Sequence, residues 1–114
     1  MSHLLIVDDD PNTLASLARA FRLNGHEATV ADSAARALEL LRAQTFDLVF
    51  SDVVMPGRDG IALLEDIRGL GVTTPVVMIS GQATLDMAVR ATRLGALDFL
   101  EKPLFLEGDA GVGK

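Results

Sequence analysis

The sequence predicts an α/β fold: an open, doubly wound sheet of five parallel strands with helices on both faces. Three observations carry that expectation. Short apolar runs recur along the chain, with helix-length amphipathic stretches between them. Two of the runs, "DLVFS" and "PVVMIS", are apolar on both faces, as strands covered by helices on each side must be. Polar and charged residues gather where several runs end, and in such sheets the ligand site lies beyond the C-terminal strand ends.

Taken in order, residues 4–7 form the first strand. Asp10 or Asn12 then supplies a helix N-cap, and Leu14, Leu17, Ala18 and Phe21 share one face of the helix that follows. Asn24 and Gly25 stop it. Residues 26–31 read as a weaker second strand, and Ser33 caps a helix whose inward residues are Ala37, Leu38 and Leu41. Residues 47–51 are the third strand; "MPGRDG" is a turn, and Asp59 opens a helix with Leu63, Leu64 and Ile67 inward. Residues 75–80 are the fourth strand, residues 83–94 a helix ended by Gly95, and residues 96–100 the fifth strand.

Composition narrows the function classes. A chain of 114 residues suits one domain with one apolar core, and 49% hydrophobic with 23% charged residues is ordinary for a globular protein. No apolar run nears the ~20 residues of a membrane span, and no secretory signal pattern opens the chain. There is no cysteine, so disulfide and thiolate chemistry are excluded. These features lead to the expectation of a cytoplasmic protein. A net charge of −6 without a basic stripe argues against direct nucleic-acid binding, as does the absence of Trp and Tyr.

The chemistry starts from "HLLIVDDDP", where an apolar strand runs into three consecutive aspartates. Adjacent carboxylates repel, and burial sharpens the repulsion, so either water or a cation offsets it. On the expected sheet, the strand ends bring together Asp8, Asp9, Asp52, Ser80 and Lys102. Hard oxygen ligands grouped this way suit Mg²⁺. Asp10 is the spare of the three, directed at the first helix N-terminus, where negative charge is favourable. Taken singly, each residue has a plainer role: "DDD" as a solvated cap cluster, Asp52 as a turn former, Ser80 as a cap, Lys102 as a surface charge, Phe99 as core. Their convergence on one sheet edge favours the joint reading. His3 and His26, the only histidines, lack metal-ligand spacing and are assigned structural or surface roles.

"LLIVDDDP", "DLVFSDVVMPGRDG", "VVMISGQA" and "FLEKP" resemble the signature segments of the response-regulator receiver domain of two-component signalling, in order, across residues 4–103. The resemblance implies a flavodoxin-like strand order, Asp52 as phosphoacceptor, and Mg²⁺ held by Asp9 directly, by Asp8 through water, by Asp52 and by the Val54 carbonyl. It further implies that Ser80 and Lys102 contact the phosphoryl group, that Ser80 and Phe99 form the switch, and that the Lys102–Pro103 peptide is cis. A sensor histidine kinase is the implied donor.

The end of the chain departs from that pattern. A receiver continues into a fifth helix, whereas "LFLEGDAGVGK" follows Pro103 here, placing a receiver at residues 1–104 and a Gly-rich tail at 105–114. The tail matches the first seven positions of the phosphate loop G-x-x-x-x-G-K-[ST] and resembles the start of an AAA+ module. "GQATLDMAVRATRLGALDFLEKP" is similar to receivers of NtrC-like sigma-54 activators, which precede such modules and a DNA-binding output. Without its Ser/Thr, the following helix or a Walker B strand, the tail is not expected to bind ATP. A missing fifth helix is expected to expose an apolar flank, lowering stability or inviting cover by Leu104 to Leu106 or another chain, and leaves a homodimer open. The competing enzyme reading is a Mg²⁺-dependent aspartyl-phosphate phosphohydrolase, but "DDDPN" lacks the hydroxyl of D-x-D-x-[ST].

Overall fold

Each apolar run becomes a strand, and every strand lies parallel to its neighbours. The computed structural model describes residues 2–55, 57–81 and 84–101. Along the chain these form β1 (His3–Val7), α1 (Pro11–Leu23), β2 (Glu27–Ala31), α2 (Ala34–Ala43), β3 (Leu48–Asp52), α3 (Gly60–Gly69), β4 (Val76–Ser80), α4 (Leu85–Arg93) and β5 (Asp98–Glu101). The sheet runs in the order β2-β1-β3-β4-β5, with the switch in strand order between β1 and β3.

Side-chain alternation divides the strands between two cores. Leu5, Val7, Val49, Val76 and Met78 pack with Ala37, Leu40 and Leu41 of α2, Ile61, Leu64 and Ile67 of α3, and Ala91 of α4. On the opposite face, Ile6 and Ala28 pack with Leu14 and Ala18 of α1, flanked by Leu17, Phe21 and Phe50. The sheet is therefore doubly wound, as expected, with four helices among the described residues. The segment from Lys102 onward, which includes Pro103, the expected tail and the place of a fifth helix, lies outside the described residues.

Local chemistry sets the helix ends. Asp10, Ser33 and Asp59 accept hydrogen bonds from Asn12, Arg36 and Ala62 backbone N–H groups, satisfying donors that each helix start leaves open. The choice between Asp10 and Asn12 thus resolves to Asp10. For α4 the cap is Thr84 and the helix begins at Leu85; Ala83, its expected start, lies outside the described residues.

Two of the strands that start later than expected, β2 and β5, do so for one reason. At the end of α1, Gly25 (φ +88°) donates to Arg22 O at 3.1 Å and His26 to Phe21 O at 3.1 Å. At the end of α4, Gly95 (φ +91°) donates to Thr92 O at 3.0 Å and Ala96 to Ala91 O at 2.9 Å. Both are Schellman closures, which need a left-handed residue and use the amide after it to satisfy a helix carbonyl. His26 and Ala96 are therefore committed to helix exits, and β2 and β5 begin beyond them.

Candidate metal centre

Parallel pairing builds the site. Val7 of β1 stands beside Ser51 of β3, so the next residues, Asp8 and Asp52, emerge together at the C-terminal edge. Asp8 extends the β1–β2 ladder by one bond, its N–H donating to Ala31 O at 3.1 Å. Asp8 and Asp52 are buried, at 1% and 6% exposure, while Asp9 is exposed. One carboxylate oxygen from each of Asp8, Asp9 and Asp52 lies within 4.8 Å of the others. Two buried acids and a third at this spacing repel one another, and a cation among them would relieve that repulsion. The donor set is entirely oxygen, which fits a small hard divalent cation such as Mg²⁺.

The third aspartate of the run stays outside this group. Asp10 Oδ1 accepts from the Asn12 N–H at 3.1 Å and Oδ2 from the Thr13 hydroxyl at 2.8 Å, while its own N–H donates to Asp8 Oδ1 at 2.9 Å. It is the spare aspartate, engaged at the start of α1.

On the neighbouring strand, Ile79 pairs with Asp52, and Ser80, 1% exposed, follows it at the same edge. The Ser51 hydroxyl donates to Asp52 O at 3.0 Å, adding a bond to the backbone that carries the acid. Beyond Asp52 the chain turns through Val53 and Val54, and Val54 is half exposed. Phe99 lies on β5 beside Met78, half-buried against the larger core. Lys102, the expected cationic member, lies outside the described residues. The histidines sit elsewhere: the His3 ring is 2.8 Å from Thr29 Oγ1 and 4.5 Å from the Phe46 ring, and His26 Nδ1 accepts from the Ser2 N–H at 3.4 Å.

Sequence reasoning missed Gly60. Its N–H donates to Val53 O at 2.8 Å, and its Cα lies so near β3 that a Cβ would overlap the Asp52 carbonyl oxygen. The dipeptide "DG" marks a turn in sequence and carries no signal of this close approach. Arg58 fixes the same loop to α3, donating from Nε and Nη2 to the two carboxylate oxygens of Asp66, the latter at 2.9 Å. The hydrogen bonds and charge of Arg58 hold the Asp66 carboxyl below its ordinary value of 3.8. A lowered folded-state pKa contributes stability that is present above 3.8 and is lost as pH falls through the folded value. Arg58→Ala is expected to raise the Asp66 pKa toward 3.8 and to lower stability slightly at neutral pH, where the pair contributes, with no loss at pH below the folded value. A carboxyl-resolved NMR titration reads this; an Asp66 pKa that stays put would show that Arg58 does not set it.

Residues 4–107 match the response regulator receiver domain. The chain belongs to the response regulator receiver family. Over 101 residues this receiver is 42% identical to the transcriptional regulatory protein ZraR of Escherichia coli K12, covering 89% of this chain and 23% of that protein. It is 38% identical over 102 residues to the DNA-binding transcriptional regulator NtrC of the same strain, covering 90% of this chain and 22% of the relative. The receiver thus spans less than a quarter of the length of these regulators. Among solved structures it is similar to NtrX from Brucella abortus, with a TM-score of 0.83 and 39% identity over 90% of this chain and 24% of that one. The chemotaxis protein CheY4 of Vibrio cholerae aligns with a TM-score of 0.87 and 26% identity, covering 94% and 91% of the two chains. This is the flavodoxin-like topology implied by the signature segments.

Proposed function

We propose that this receiver accepts a phosphoryl group from a sensor histidine kinase on Asp52 and relays the change to a transcriptional output module. The convergence of Asp8, Asp9 and Asp52 within 4.8 Å carries this reading. Asp8, Asp9, Asp52 and the Val54 carbonyl would hold Mg²⁺. When bound, the ion supplies positive charge that offsets repulsion between the carboxylate and an anionic donor. An Asp52 carboxylate oxygen forms the new bond to phosphorus as the bond to the donor histidine nitrogen breaks. The electron pair leaves with the imidazole, which takes up a proton from water.

Ser80 donates its hydroxyl to a phosphoryl oxygen, and Lys102 adds a second cation. Phosphorylation brings roughly −1.5 to −2 charge to a buried edge. Ser80 moves toward that charge, Phe99 turns inward into the space released, and the surface around α4 and β5 changes. The unit doing this is residues 1–104, and the output we propose is an AAA+ sigma-54 activator with a DNA-binding module, a reading supported by the resemblance to transcriptional regulators.

The test is incubation with a small-molecule phosphodonor and Mg²⁺. One phosphoryl group per chain, mapped to Asp52, is expected, together with loss of label when the ion is chelated. Sustained turnover of phosphate esters without stoichiometric labelling would favour the phosphohydrolase reading instead.

A further inference from the structure

We infer that Asp10 and Thr13 are positioning residues for the metal centre, acting on Asp8 without contacting the ion. The inference rests on the proposed metal reading and adds residues to it. Three hydrogen bonds run in sequence from α1 to the cluster. The Thr13 hydroxyl donates to Asp10 Oδ2 at 2.8 Å, the Asn12 N–H donates to Asp10 Oδ1 at 3.1 Å, and the Asp10 N–H donates to Asp8 Oδ1 at 2.9 Å.

The direction of these bonds explains their effect. With both carboxylate oxygens engaged at the start of α1, the Asp10 side chain fixes its own backbone relative to the helix. That backbone aims an N–H at one oxygen of Asp8, which sets the orientation of the Asp8 carboxylate. Thr13 and Asp8, at the two ends of the chain of bonds, are each only 1% exposed, so water cannot readily replace the Thr13 hydroxyl, while Asp10 between them is half-buried. Partners that orient a metal-binding carboxylate commonly change metal affinity by about 10- to 100-fold when removed.

A third carboxylate near the cluster could also act through charge alone, so the test separates charge from position. Two pairs of variants of the full chain do this, with Mg²⁺ as the probe and calorimetric affinity as the readout. Thr13→Val and Thr13→Ser leave the charge unchanged and differ in the hydroxyl. Asp10→Ala and Asp10→Asn both remove the charge, but only Asn keeps an oxygen for the Asn12 N–H and a polar partner for Thr13.

Thr13→Val is expected to bind Mg²⁺ about tenfold more weakly than Thr13→Ser, and Asp10→Ala about tenfold more weakly than Asp10→Asn. Melting of the ion-free proteins shows which variants fold; should Thr13→Val not fold, the Asp10 pair decides alone. Equal affinities within a folded pair overturn the inference while leaving the metal reading intact. Absence of saturable Mg²⁺ binding by the unaltered protein overturns the metal reading itself, before any variant is compared.

Discussion

Asp52→Asn is expected to take up no phosphoryl label from a phosphodonor with Mg²⁺, falling to the background of an unreactive protein. The substitution preserves shape at a position with 6% exposure, so the β3 end and its pairing to Ile79 should persist. The reactive oxygen does not persist in the same form. An amide has no carboxylate charge to direct at phosphorus and is a far weaker nucleophile. The loss is therefore chemical rather than structural, and circular dichroism of the variant should overlay that of the parent. Mg²⁺ affinity should also fall, because one of the three converging carboxylates becomes neutral. Labelling that persists at the parent level would move the acceptor to another side chain, and mapping the phosphorylated peptide would identify it.

The fold was legible because its main signals are local. Apolar runs marked the strands, and caps at Asp10, Ser33 and Asp59 were visible as residue types that satisfy open helix amides. Boundaries were less legible where one residue serves two elements. His26 and Ala96 stand at the starts of strand-like runs, yet each closes a helix, and only backbone bonding reveals which demand wins. The third strand also lies one residue later than expected, from Leu48 to Asp52. Asp47, its expected first residue, is bonded to His3 twice, its N–H donating to His3 O and its carboxylate accepting from the His3 N–H, both at 2.8 Å, and Asp52 becomes the last strand residue.

The candidate site was legible in its acids because charge at the end of an apolar strand stands out. Asp8, Asp9 and Asp52 do converge, as the strand ends required. What surrounds them was not legible. Thr13 and Gly60 are unremarkable letters in sequence, and their importance comes from a hydroxyl pointed at Asp10 and from a Cβ that has no room. Such signals are distances between chain segments, which composition and periodicity do not encode.

The absence of a Cβ at Gly60 leads to the second large expected effect. Gly60→Ala should destabilise the protein by about 1–3 kcal/mol, the usual range for forcing an extra carbon into filled space. The new carbon would overlap the Asp52 carbonyl oxygen and come within 2.8 Å of the Met78 Cε. Met78 can swing its flexible end away, but the Asp52 carbonyl belongs to a strand paired on both sides and cannot. The first turn of α3 must then retreat, stretching the 2.8 Å bond from the Gly60 N–H to Val53 O. Alanine's helix advantage over glycine, about 1 kcal/mol at most in a helix interior, is too small to offset this at the first helical position. In a domain of this size the loss corresponds to a fall in Tm on the order of 5–15 °C. Gly69, at the other end of α3, supplies the control. A Cβ there meets nothing within 4 Å, so Gly69→Ala should be neutral or slightly stabilising. Because the stretched bond loosens Val53, the residue that directly follows Asp52, Gly60→Ala should also weaken Mg²⁺ binding at temperatures well below its melting point, whereas Gly69→Ala should not. Equal melting and equal Mg²⁺ affinity for the two alanine variants would mean that α3 can yield without disturbing β3, and the close approach would then have no part in shaping the site.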